Sequence, residues 1–193
     1  RGPETEWQSA RAAAQQHDAV AAINAAFFTP EGQPLGLVIE NGVRFGAWNR
    51  ASSLTSGVLV VGRGRPRLLR REGWPLSSEA EQLVQAGPLL LENAGAVPGL
   101  STNPARPRSF LAWDNRHHWA IGFTRSATLA ELASALASQP VPGTRFSTAL
   151  NLDGGRSSDL WVSSTIKGGP VSTRRFWNNP VRNYVLIRKR PQP

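Results

Sequence analysis

The sequence contains no cysteine, which excludes disulfides and cysteine-ligated metals and leaves the redox compartment unreadable. It has no long apolar run. Stretches such as Gly57 to Val61 and Leu89 to Leu91 fall far short of the about 20 residues that a membrane-spanning helix needs, so no membrane span is expected. Lysine is nearly absent: only Lys167 and Lys189 among 22 basic residues. An arginine excess of that kind also arises from a genome rich in G and C. No nucleic-acid motif accompanies it, so no nucleic-acid partner is expected. There is no Gly-x-Ser-x-Gly elbow and no phosphate loop ending in lysine, which disfavours serine-hydrolase and nucleotide-hydrolase chemistry. Histidine occurs three times, at His17 and at the adjacent His117 and His118. Neighbours on a strand face opposite ways, so the pair reads as turn residues; neither a metal nor another cofactor is expected.

What the chain does have is enough apolar material for a core. It is 193 residues long and 40% hydrophobic, with seven Trp and seven Phe. That length fits one domain over residues 1–193, burying about 70% of its unfolded surface. The net charge of +9 attracts anions of any kind. The charge is uneven, with Arg63, Arg65, Arg67, Arg70 and Arg71 in one segment and Arg182, Arg188, Lys189 and Arg190 in another. The chain opens on Arg1 without an initiator methionine, as expected if a leader has been removed.

Along the chain, residues 4 to 17 read as a helix with Thr5 as cap, followed by a small-residue strand from Ala19 to Phe28. Asn41-Gly42 joins strands at Leu35 to Glu40 and Val43 to Ala47, a strong hairpin signal. A second hairpin is expected from Gly57 to Gly62 and Arg67 to Arg71. Ser77 and Ser78 lead into a short helical stretch at Glu79 to Leu83. Gln85 to Leu91 reads as a strand interrupted at Gly87-Pro88. Strands at Phe110 to Asp114 and His118 to Thr124 flank a turn at Asn115-Arg116. Thr128 and Glu131 match a capping box for a helix over Leu129 to Ser138. Strands follow at Phe146 to Leu152, Ser158 to Ser163 and Asn183 to Lys189. The pattern predicts an α+β fold: a mixed, largely antiparallel sheet with several hairpins and two or three helices.

The most informative stretch is Ala149 to Ser158. An apolar strand carries Asn151 and Asp153 on one face and runs into Gly154-Gly155, a turn that permits close backbone approach to a ligand. Gly154, Gly155, Arg156, Ser157 and Ser158 together offer backbone N–H groups, hydroxyls and a guanidinium to an anion. The plainer alternative is that Asp153 only caps the turn. Asn24 is a polar side chain in an apolar strand, where burial demands partners. Arg106 and Arg108 bracket Pro107 before a strand, where a fixed guanidinium can fork onto phosphate or carboxylate; otherwise they form an exposed basic turn.

Five stretches, in order, resemble the phosphodiester glycosidase domain family. They are Ala22-Ile23-Asn24-Ala25-Ala26-Phe27-Phe28; Pro34-Leu35-Gly36-Leu37 with Gly42; Gln85-Ala86-Gly87-Pro88-Leu89-Leu90; Arg106 to Ala112; and Ala149 to Ser158. Two positions depart from the family's pattern: Ala25-Ala26 replaces a glycine pair, and Arg156 replaces the third glycine of Asp-Gly-Gly-Gly-Ser. The resemblance implies a glycosidase-type hydrolase that cleaves a sugar-1-phosphodiester or related linkage, with a carbohydrate or sugar-phosphate substrate. Bacterial relatives are often exported, which implies an exported or periplasmic location. Asp153 is then expected as base or nucleophile, with Arg108, Gly154 and Gly155 on the phosphate and Ser157 assisting. Asn24 and Asn151 are expected to orient sugar hydroxyls or Asp153 itself. Gln85, Phe28 and Arg156 are expected on the substrate-binding side.

Two alternatives stay open on the residues alone. A glycosidase of a non-phosphorylated polysaccharide needs a second carboxyl group, for which Glu31, Glu40, Glu92, Asp114 and Asp159 are available. A non-catalytic module for anionic glycans also fits the charge and the tryptophans. The oligomeric state is not legible.

Overall fold

The computed structural model describes residues 8–75, 79–138 and 141–189. Three antiparallel sheets and two α-helices make up its framework. The first sheet runs β13 (Val171–Ser172), β12 (Leu160–Val162), β1 (Ala21–Asn24), β14 (Tyr184–Ile187). The second runs β10 (Trp119–Ala127), β9 (Arg106–Trp113), β11 (Thr148–Asn151), β7 (Leu89–Glu92), β8 (Gly95–Ala96). The third runs β3 (Val43–Phe45), β2 (Val38–Glu40), β6 (Gln82–Ala86), β4 (Gly57–Gly62), β5 (Arg65–Arg70). The chain is thus α+β and sheet-rich, as its hairpin signals predict. Among the described residues no helix is long and apolar enough to cross a membrane.

One apolar cluster draws on all three sheets: Ile23 and Leu160 from the first, Leu89, Leu111 and Leu150 from the second, Leu68 and Ala86 from the third, with Leu152 just past β11. Strand β1 lies mid-sheet with all four residues buried, which is why its composition is so small and apolar. Helix α1 (Ala10–Gln16) covers that sheet through Ala10 and Ala14 against Ala22. Alanines there let helix and sheet approach closely. Helix α2 (Leu129–Ala137) places Leu132, Ala133 and Leu136 on Leu90, Leu91 and Ala149. Its capping box forms as the sequence predicts: Glu131 N–H donates to Thr128 Oγ1 at 3.1 Å, and Thr128 N–H donates to Glu131 Oε2 at 2.8 Å. Thr128→Ala should therefore lower stability by ~1 kcal/mol, read from urea unfolding, because one helix N–H loses its acceptor.

Several expectations are corrected. The cap of α1 is Ser9, whose side chain accepts from Ala12 N–H; Thr5 and Trp7, like Ser77 and Ser78, lie outside the described residues. Gln82 and Leu83 are not helical. They belong to β6, which pairs with β2 on one side and β4 on the other, so sheet pairing overrides local preference. The second hairpin turns at Arg63-Gly64, both at positive φ, and Pro66 sits inside β5 rather than in the turn. Proline is tolerated there because β5 is an edge strand. The expected strand Gln85 to Leu91 is two strands in different sheets, and the chain changes sheets at Gly87-Pro88. A Cβ on Gly87 would overlap the Ser53 carbonyl oxygen, so only glycine fits that crossing.

Candidate active site

The end of β11 and the end of β1 meet at Asp153. Leu152 N–H donates to Ser109 O at 2.9 Å, and Asp153 N–H donates to Ala25 O at 2.9 Å. Asp153 O in turn accepts from Asn24 Nδ2 at 2.7 Å. Asn24 is completely buried, and its Oδ1 accepts from Ser109 Oγ at 2.6 Å and from Asp159 N–H at 2.9 Å. One amide side chain thereby locks three segments around Asp153. Asn24 touches Asp153 through the backbone, which fits the expectation that it orients Asp153.

Asp153 is half-buried, and burial pushes its carboxyl up to about 6, against opposing hydrogen bonds from the Ser157 hydroxyl and Gly154 N–H. Ser157 and Gly154 thus lie close enough to favour the ionised carboxylate. The N–H groups of Gly155 and Arg156 open a 3-10 turn (Gly155–Ser157) and have no acceptor within it. Gly155 stands at φ +64°, where glycine is at ease. Gly154 packs closely for a different reason: a Cβ there would come within 3.2 Å of Pro107 O and 3.5 Å of Arg108 Nη1.

Arg108 therefore lies against the turn. Its Nε donates to Ala127 O and its Nη2 to Pro104 O, both at 3.0 Å. These carbonyls occupy one edge of the guanidinium, so the side chain is rigid and Nη1 is the nitrogen left beside Gly154. Burial, then the neighbouring Arg106, pushes Arg108 below its usual range, although it stays cationic. A fixed cation lies against the same Gly-Gly turn that carries the two N–H groups and follows the elevated carboxyl. That combination can hold an anion and act on an electrophilic centre next to it.

Other expected residues stand elsewhere. Asn151 is buried, and its Nδ2 donates to Gly87 O and Leu152 O, both at 2.8 Å. It ties the sheet-crossing segment to the strand that carries Asp153, a positioning place rather than a catalytic one. Gln85 is also buried: its Oε1 accepts from Leu37 N–H and Asn49 N–H, and its Nε2 donates to Asn49 O and Thr55 O. All its side-chain hydrogen-bonding capacity is spent on the fold. Phe28 bridges to Pro34, outside the hydrogen-bonded cluster. Arg156 is exposed beside the site, with Nε donating to Trp177 O at 3.0 Å. Ser109 is a participant that residue-by-residue reading did not single out; its place just after Arg108 was the available signal.

A second carboxylate does not join Asp153 by any of these hydrogen bonds. Glu31 is exposed, Glu40 ends β2 in the third sheet, and Glu92 pairs with Arg70 at 2.7 Å. Asp114 lies just beyond the opposite end of β9 from Arg108. Although burial opposes it, hydrogen bonds from His118 and neighbouring N–H groups hold its carboxyl at about 2. Asp159 is buried, with Oδ2 accepting from Ala10 N–H at 2.7 Å and facing Arg174 at 3.4 Å. Among the described residues, no group of three or more His, Asp or Glu is disposed to hold a metal.

The chain is similar to the catalytic domain of zebrafish N-acetylglucosamine-1-phosphodiester alpha-N-acetylglucosaminidase, solved auto-inhibited by its pro-peptide. The TM-score is 0.68 at 16% identity, over 94% of this chain and 67% of that one. A hypothetical protein from Synechocystis matches with a TM-score of 0.56 at 18% identity, over 89% of this chain and 52% of that one. At such identities the likeness is one of fold. In sequence, the chain is 33% identical over 90 residues to the uncharacterized protein YigE of Escherichia coli K12, a match over 44% of this chain and only 35% of that protein. The phosphodiester glycosidase profile, by contrast, aligns with residues 17–188, from the end of α1 through β14. A match of that extent takes in every element that builds the Asp153 site, and it makes this chain a member of the phosphodiester glycosidase family.

Proposed function

We propose that the chain is a glycosidase-type hydrolase of sugar-1-phosphodiesters, with Asp153 as its catalytic carboxylate. What supports this is one elevated carboxyl beside a Gly-Gly turn against which a fixed guanidinium lies. Ordinary glycosidases pair two carboxyl groups because an alkoxide leaving group needs a proton. A phosphodiester leaves as a stabilised phosphomonoester anion, so a cation and N–H donors can replace the acid. In this reading Arg108 Nη1 and the Gly155 and Arg156 N–H groups receive the phosphate. Asp153 works in its ionised form on the anomeric carbon, directly or through water. The C1–O bond breaks, its electron pair leaves with the phosphate oxygen, and water supplies the hydroxyl on the sugar. Asn24 and Ser109 support the reaction by holding the Asp153 backbone.

Arg108→Ala tests the phosphate assignment. Its kcat/KM should fall by roughly 10²-fold on a sugar-1-phosphodiester, the size expected when a charged hydrogen bond to a developing anion is lost. On a neutral aryl glycoside of the same sugar the loss should be several times smaller. Equal losses on both would show that Arg108 supports the fold and not the phosphate. An exported or periplasmic setting accords with such a substrate and belongs to the same proposal.

A further inference from the structure

Beside the Asp153 turn stands a feature that the reaction above does not use. Residues 174–179 form a loop whose backbone is stitched to that turn. Asn178 Nδ2 donates to Arg156 O at 2.9 Å and to Ser158 O at 2.8 Å, and Asn179 N–H donates to Arg156 O at 3.0 Å. Arg156 Nε returns a bond to Trp177 O at 3.0 Å. At the loop's base Arg174 reaches the buried Asp159 carboxylate at 3.4 Å. So rigid a loop would be expected to bury its apolar side chains, yet Phe176 is 95% exposed and Trp177 40% exposed. The two rings meet edge to face at 4.7 Å, and the Arg175 guanidinium lies 5.1 Å from the Trp177 ring centre. Trp177 thus braces the platform: Phe176, open to solvent, meets its ring, Arg175 lies over that ring, and Arg156 bonds its carbonyl.

We propose that Phe176, Trp177, Arg156 and Arg175 form a second subsite, which takes the part of the substrate beyond the scissile phosphate. The chemistry that fits is a sugar ring bearing a negative charge, such as the next unit of a chain of sugar phosphates. The apolar C–H face of a sugar packs on an aromatic face, and guanidinium groups receive its phosphate or carboxylate. The hydrogen bonds from the loop to Arg156 and Ser158 favour this occupant, since they fix the platform next to the catalytic turn rather than leaving it free to seek another surface. The inference rests on the sugar-1-phosphodiester reading and assigns Arg156, which replaces a family glycine, to substrate choice.

The test uses two ligands, a methyl sugar-1-phosphodiester and one whose aglycone is a further sugar phosphate. Binding of each is measured by calorimetry to the Asp153→Asn chain, with and without Phe176→Ala or Arg156→Gly, and turnover is followed in parallel with Asp153 intact. Each substitution should weaken the extended ligand at least about fivefold more than the methyl ligand, with KM ratios shifting alike. A ring fully in solvent carries little of the fold, so Phe176→Ala separates binding from stability. Equal effects on both ligands would overturn the subsite. So would an unchanged ratio accompanied by Phe176-dependent binding to anionic phospholipid vesicles, which would assign the platform to a membrane surface. If neither diester is hydrolysed, the catalytic reading fails, while the binding ratio still decides the subsite.

Discussion

Asp153→Asn is expected to lower hydrolysis of a sugar-1-phosphodiester by at least about a thousandfold, whether the carboxylate acts as base or nucleophile. The same substitution should make the protein more stable at neutral pH. The folded carboxyl keeps its proton to about 6, whereas the unfolded one releases it near 3.8. Between those values the folded chain binds more protons than the unfolded chain, so stability falls as pH rises across the window. The loss is complete above the folded value and amounts to about 2–3 kcal/mol. An amide cannot ionise and escapes it. Urea unfolding should therefore show little difference between the two proteins below pH 4 and a gain for Asp153→Asn at pH 7.5. A variant less stable than the parent at pH 7.5 would mean that the carboxylate serves the fold, which is the turn-capping alternative.

Asn24→Ala should have the largest effect on stability. The substitution leaves Ser109 Oγ and Asp159 N–H without the partner each has now at buried positions, and Asp153 O without its partner at a partly buried one. Each buried orphan costs about 1–3 kcal/mol, and together they should remove roughly 3–5 kcal/mol, a large share of an ordinary domain's stability. In urea the midpoint should fall by about 2 M with an unchanged slope. At temperatures where the variant remains folded, kcat should drop as well, because Asp153 loses the tie on its carbonyl. Full stability with lost activity would contradict the structural role and return Asn24 to the substrate. Asn24→Asp is a useful companion. It keeps both acceptor contacts but removes the donor to Asp153 O and buries a charge, so it should not rescue the fold.

How much of this could be read from the residues depends on how far each interaction reaches along the chain. Asp153 was legible because its whole signal is local: an apolar strand, then an ionisable group, then two glycines. The capping box of α2 and the Asn41-Gly42 turn are local in the same way, and both form. The hydrogen bonds of Gln85 and Asn151 are not legible because their partners lie far off in sequence. Gln85 bonds Leu37, Asn49 and Thr55, and Asn151 bonds Gly87, across segments that meet only once the sheets assemble. A polar residue in a strand looks the same from the sequence whether it serves a ligand or a distant loop. The helical reading of Glu79 to Leu83 failed for a related reason: Leu83 pairs with strands on both sides, and that is decided by neighbours far from it in the chain. Arg156 stands out in the sequence as a cation beside two glycines, but its bond to Trp177 O joins residues far apart in the chain. The aromatic platform is therefore a product of the fold rather than of any motif.

The most direct test of the central claim is which bond breaks. A sugar-1-phosphodiester is hydrolysed in ¹⁸O-labelled water, and the phosphomonoester product is analysed by mass spectrometry. Glycosidase-type cleavage at the anomeric carbon predicts a phosphomonoester free of label, a rate that rises with pH through about 6 as Asp153 ionises, and no reaction by Asp153→Asn. Label in the phosphate would show attack at phosphorus, and the Asp153 glycosidase account would be wrong.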